Sequence, residues 1–181
     1  MNRVLFLFAV VGSGVLMTPT LMTAAEATTE DYMLFMKPLT GSWKTTSETD
    51  GQATPGTISY QLASNEHCFL GHYEGILPDV QSIEGYDPVA KKHTVVGFGR
   101  DGSHAIATVD WGEYLQPGKT LRKGVNGKQS LKLFFRDGKT LTATATVTCT
   151  ALEQDKVVLE YSDRIEGGKA LPRVTMTWER Q

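Results

Sequence analysis

The sequence predicts an all-β fold: an antiparallel up-and-down β-barrel with a short N-terminal helix. Three observations carry that expectation. Turn-forming pairs recur along the chain, as Asp50-Gly51, Asp101-Gly102, Pro117-Gly118, Asn126-Gly127, Asp137-Gly138 and Gly167-Gly168, and such pairs supply the positive φ that hairpin turns require. The runs between them are short and rich in Thr, Val, Leu and aromatic residues, which suit a pleated, half-buried surface. One run alternates strictly, with Leu141, Ala143, Ala145, Val147 and Cys149 on one face and Thr142, Thr144, Thr146, Thr148 and Thr150 on the other. A period of two marks a strand with one face on a core and the other in water.

In chain order, Asn2 and Arg3 open an apolar run that begins at Val4 and continues with small and apolar residues to about Met22. Ala25-Glu26-Ala27 then supplies the small residues of a cleavage site, so 1–27 reads as a secretory signal peptide and 28–181 as one domain. Gly12, Ser13, Gly14, Thr18, Pro19 and Thr20 interrupt the run before the ~20 apolar residues that a membrane span needs. The expected location is therefore exported, periplasmic or extracellular, with no span after cleavage.

Thr28 to Lys37 predicts a brief helix. Thr28 or Thr29 offers a capping oxygen, Glu30 and Asp31 suit the first turn, and Pro38 ends it. Met33, Phe35 and Met36 supply apolar cover. Beyond Gly41, further strand phases appear in Ile58/Tyr60/Leu62, Leu131/Leu133/Phe135, Val157/Leu159/Tyr161 and Val174/Met176/Trp178. Roughly nine or ten strands at even spacing suit a barrel or a sandwich. The chain ends favour the barrel: Trp43 opens the first strand, Trp178 and Arg180 close the last, and closure makes those strands neighbours. Arg180 shares the phase of Trp178, so its guanidinium is placed to lie over an indole.

Composition narrows the function classes. With 18 Lys+Arg against 20 Asp+Glu and a net charge of −2, the chain lacks the basic face that nucleic-acid binding requires. Cys68 and Cys149 leave two readings open, a disulfide that persists after export or two buried thiols acting as small hydrophobes. Neither belongs to a C-x-x-C pair, so no metal site is expected from them.

Two stretches resemble a known family. Gly41-Ser42-Trp43 after a short helix looks like the G-x-W signature of lipocalin-like, or calycin, barrels. Gly85-Tyr86-Asp87-Pro88-Val89-Ala90-Lys91-Lys92-His93-Thr94-Val95-Val96 resembles the glycine-tyrosine-aspartate hairpin of the bacterial family catalogued as domain of unknown function 1579. His93 stands where that family commonly has tyrosine, and Gly97-Phe98-Gly99-Arg100-Asp101-Gly102 departs from its usual continuation. The resemblance covers about residues 33–112 and implies a lipocalin-like barrel; it carries no established activity. Independently of it, Asp87 and Pro88 are turn chemistry: the carboxylate accepts from the backbone two residues on and the ring fixes φ.

Candidate catalysis rests on His72 and Glu74, which share a strand face with Cys68 and Leu70. Turned inward, they would form an acid/base pair. The opposite phase, Phe69/Gly71/Tyr73/Gly75, fits the interior equally and would place both in solvent. His93 and His104 flank the Gly97–Gly102 hairpin without lying opposite one another, which argues against a shared metal. No axial histidine is singled out and no C-x-x-C-H sequence occurs, so no cofactor is expected, with haem as the alternative.

Small residues, Ala143, Ala145, Gly71, Gly75, Gly97 and Gly99, stand where a filled barrel would want bulk. The candidate ligand-binding residues are Trp43, Tyr60, Phe69 and Tyr73 in the first half of the barrel, with Phe98, Trp111, Tyr161 and Trp178 in the second. They either line a cavity or fill it. The expectation is an exported barrel that binds a small apolar or amphipathic molecule. A lumen enzyme using His72 and Glu74 and a structural envelope protein are the alternatives.

Overall fold

The computed structural model describes residues 26–75 and 79–181; the expected leader falls almost wholly outside them. Helix α1 (Thr29–Met36) starts where the sequence places its cap. Asp31 N–H donates to Thr28 Oγ1 at 3.2 Å and Thr28 N–H donates back to Asp31 Oδ2 at 3.0 Å, a reciprocal box that satisfies two otherwise unpaired amides. A 3-10 turn over Lys37–Leu39, with Pro38 inside it, leads into the sheet.

The strands are β1 (Gly41–Thr49), β2 (Gln52–Ala63), β3 (Cys68–Glu74), β4 (Val80–Asp87), β5 (Lys92–Gly99), β6 (His104–Asp110), β7 (Asn126–Phe134), β8 (Thr140–Leu152), β9 (Lys156–Glu166), β10 (Lys169–Ala170) and β11 (Val174–Arg180). All pairings are antiparallel between chain neighbours, except that β9 also pairs β11 and β11 pairs β1. The short β10 hangs on β9 alone. Among the described residues, ten strands therefore close into a ring that leaves no long sheet edge open. The predicted up-and-down barrel is the fold observed.

The closing seam explains the Gly41-Ser42-Trp43 entry. Trp43 stands opposite Arg180 and Thr45 opposite Trp178. The Arg180 guanidinium lies 4.1 Å from the Trp43 ring centre, as its phase predicted, and donates to the carbonyl of Thr40 at 3.0 Å. Gly41 sits at φ +115, and a Cβ there would come within 2.7 Å of Arg180 Nη1. Only glycine leaves that approach free. Trp43 is fully buried, and its indole N–H donates to the Leu39 carbonyl at 2.9 Å, tying the 3-10 turn to the first strand.

Helix α1 caps the end of the barrel at which β1 begins. Tyr32, Met33, Phe35 and Met36 are buried, with Tyr32 stacked on Tyr86 and set 5.1 Å from the His93 ring, and Phe35 against Trp111. Strand hairpins end at the opposite mouth, where Asp50 and Gly51 take φ 50 and 74 as their turn requires. At the capped end, Asp87 Oδ1 accepts from Val89 and Ala90 N–H at 2.9 Å each, so this hairpin is built as the sequence indicates.

Asn126-Gly127 is a correction: it belongs to β7 and forms no turn. Gly127 is needed there for close approach, since a Cβ would sit 2.8 Å from both Trp111 Cε3 and Val109 Cγ1. Gly127→Ala is therefore expected to lower stability by about 1–3 kcal/mol through overpacking, read as an earlier midpoint in urea unfolding. Cys68 and Cys149 are separate thiols on the non-adjacent strands β3 and β8; burial pushes the Cys149 thiol up to about 11, so it acts as a core residue. Among the described residues no helix is long and apolar enough to cross a membrane.

Candidate functional site

The barrel encloses a lumen of about 440 Å3. Its walls are largely aliphatic and aromatic, including Val95, Ala107, Leu131, Leu133, Leu159 and Met176, with Met36 and Leu39 from the capping segment. Near the mouth lie Gly99, Asp101, Ser103, His104 and Phe135. Of the small residues named in the sequence, Gly97 and Gly99 lie on the lining and Ala143, Ala145, Gly71 and Gly75 do not; Gly97 faces Ala105 there across β5 and β6.

One patch of the wall is polar, and it is contiguous across β2 to β5. Glu84 on β4 is only 1% exposed. Its Oε1 accepts from the Tyr73 hydroxyl at 2.5 Å and from Ser82 Oγ at 2.8 Å, while Oε2 lies 3.2 Å from His93 Nε2. Tyr60 completes the group through a hydrogen bond between its hydroxyl and that of Tyr73. Burial alone would push the Glu84 carboxyl up, but the hydrogen bonds from His93, Tyr73 and Ser82, with the His93 charge, outweigh it and hold the group below the ordinary glutamate value. Burial and then the Glu84 charge keep Tyr60 and Tyr73 well above the usual phenol range, and push Tyr161 on β9 up to about 12. All three remain phenols at any physiological pH. His93 Nδ1 and the indole nitrogens of Trp111 and Trp178 are buried without a partner among the described residues.

Of the residues expected to bind ligand, Tyr60, Tyr73, Trp111, Tyr161 and Trp178 line the lumen. Trp43 and Phe69 are buried but pack outside its lining. Phe98 is corrected: it is 56% exposed on the outer face and stacks on His104, because β5 turns His93, Val95 and Gly97 inward. His72 and Glu74 are corrected as well. Tyr73 and Gly71 take the interior, leaving the His72 and Glu74 side chains 44% and 54% exposed. They form an open polar cluster with Asp79 at the rim, His72 Nε2 standing 3.5 Å from Glu74 and 3.8 Å from Asp79. An acid/base pair in the lumen cannot be built from them.

Sequence reasoning missed Glu84 and Ser82. One signal was present: Gly71, noted only as small, stands opposite Ser82, and a Cβ there would collide with Ser82 Oγ and press on Glu84 Oε1. The glycine makes room for a buried polar group.

No family model matches the sequence, and no curated protein matches it. Two solved structures are similar to the chain. The structure of a redesigned beta barrel, mFAP1, bound to DFHBI, is 14% identical, covers 81% of this chain and 99% of that one, and has a TM-score of 0.34. The structure of EF1p2_mFAP2b bound to DFHBI is 13% identical, covers 82% and 98%, and has the same TM-score of 0.34.

Proposed function

We propose that this protein binds a small amphipathic molecule inside the barrel, its polar end against the Glu84 cluster and its apolar body along the aliphatic wall. The observation that carries this reading is the lumen itself: about 440 Å3 of largely apolar space with one convergent polar patch. That volume lies within the ~300–1,000 Å3 typical of small-molecule sites. A barrel built only for structural support would fill this space with side chains.

Export and kinship with the family of unknown function 1579 belong to the same proposal. The leader-like N-terminus supports the first, and the Gly85–Val96 hairpin supports the second. Native mass spectrometry of protein purified from its own host tests occupancy directly. The expected result is a co-purifying mass that is lost in Ala105→Trp, whose indole would enter the lumen over the side-chain-free Gly97. Affinity should fall about tenfold or more in that variant. A wild-type protein that carries nothing and takes up no amphipath in solution would overturn the reading.

A further inference from the structure

We propose that the lumen selects ligands whose head group donates a hydrogen bond, a hydroxyl or an ammonium, and rejects the matching carboxylates. The proposal rests on the small-ligand reading above and names its ligand class. It follows from the direction in which the hydrogens of the polar patch must point. Tyr73 has one hydroxyl hydrogen, and it goes to Glu84 Oε1 at 2.5 Å. Tyr73 therefore accepts from Tyr60, whose own hydrogen is consumed in that bond. Ser82 likewise spends its hydrogen on Glu84 at 2.8 Å. The hydroxyl hydrogens of the patch thus end, directly or through Tyr73, on one buried carboxylate, and its phenol and serine oxygens retain lone pairs. These three hydroxyls can only accept further; the unpartnered N–H donors of the lining are the uncharged indoles of Trp111 and Trp178.

Charge points the same way. Among the described residues of the lining there is no lysine or arginine, whereas Glu84 and Asp101 both contribute carboxylates. Of the two imidazoles, His93 turns Nε2 to Glu84 at 3.2 Å, so it pairs with the carboxylate already there and leaves only Nδ1 unpartnered, and His104 at the rim lies flat against Phe134 with ring centres 4.5 Å apart. A ligand carboxylate would lose its water and meet lone pairs and a second carboxylate. A hydroxyl can donate to the oxygen of Tyr60 while accepting from Tyr161, a phenol on the same lining. An ammonium gains, in addition, from the nearby charge of Glu84.

The test is titration of the purified full chain with decanol, decylamine and decanoate, followed by intrinsic tryptophan fluorescence, since Trp111 and Trp178 line the lumen. Decanol or decylamine should bind at least about tenfold more tightly than decanoate, the cost of one unpaired buried polar contact. The two favoured arms separate a neutral head from a cationic one. In Glu84→Gln the gap should narrow, because the charge that excludes decanoate is gone. Tyr60→Phe, which deletes a single oxygen, should weaken decanol and leave decanoate unchanged, and it serves if the first variant does not fold. Decanoate binding as tightly as decanol would overturn this inference alone, as would a preference unaltered in both variants. Failure of all three ligands to bind would overturn the small-ligand reading with it.

Discussion

Glu84→Ala is expected to be among the most damaging single substitutions in this protein. The carboxylate is 1% exposed and receives bonds from Tyr73 and Ser82 while facing His93. Its removal leaves three polar groups without their acceptor in a site that water reaches poorly. Breaking a buried charged network from one side costs about 3–5 kcal/mol, and for a domain of this size each kcal/mol moves Tm by ~2–4 °C. A fall of about 10 °C or more in a thermal melt is the expected outcome; a shift within error would mean that the network contributes nothing to folding. The pH dependence has a defined sign. The carboxyl is held below its ordinary value of 4.5, so its contribution is complete above that pH and is lost as pH falls through the depressed native value. Glu84→Gln lacks this term. The stability difference between wild type and Glu84→Gln should therefore shrink as unfolding is measured at successively lower pH below about 4.5.

Trp43→Ala should cost about as much by a different route. The indole is fully buried, packs on Trp178 with ring centres 6.0 Å apart, lies under the Arg180 guanidinium and donates to Leu39. Truncating a buried tryptophan typically costs ~3–5 kcal/mol through lost transfer energy and the cavity left behind. Here the cavity would open at the seam where β1 meets β11. Guanidinium unfolding should show a midpoint well below that of wild type, and amide exchange should be fastest in those two strands. Uniform exchange across all ten strands would show that the seam is no weaker than the rest of the ring.

The two substitutions also mark what was legible in the sequence. Trp43, Trp178 and Arg180 could be read because the outside of β8 and the two ends of the barrel follow ordinary amphipathic rules: Thr144 faces water, Val147 and Trp178 face the interior. Closure then follows from the need to hide strand edges. Strands β4 and β5 depart from that rule. Their lumen side carries Ser82, Glu84 and His93, whereas Ile83 and Val96 stand side by side on their outer face, with Ile83 52% exposed. A reader who sends apolar residues inward and charges outward inverts the phase there. His72 and Glu74 were candidates because an acid beside an imidazole resembles chemistry; the true pair, Glu84 and His93, lies on adjacent strands nine positions apart. No periodicity joins them. Phe98 failed for a related reason, since an aromatic residue between two glycines gives no hint of which side of the sheet it occupies. Asn126-Gly127 carried a turn's composition, and only the three-dimensional proximity of Trp111 reveals why the glycine is needed.

The Arg180–Thr40 bond joins positions 140 residues apart, and β1 has no partner on that side other than β11. During synthesis, the first strand must wait with one flank unsatisfied until nearly every other element has emerged. Such distant pairing is slow to form and leaves a transient template for other chains. In vivo, this architecture would make a nascent polypeptide depend on holdases until the ring snaps shut, and strand-swapped dimers would be the natural by-product whenever that protection fails.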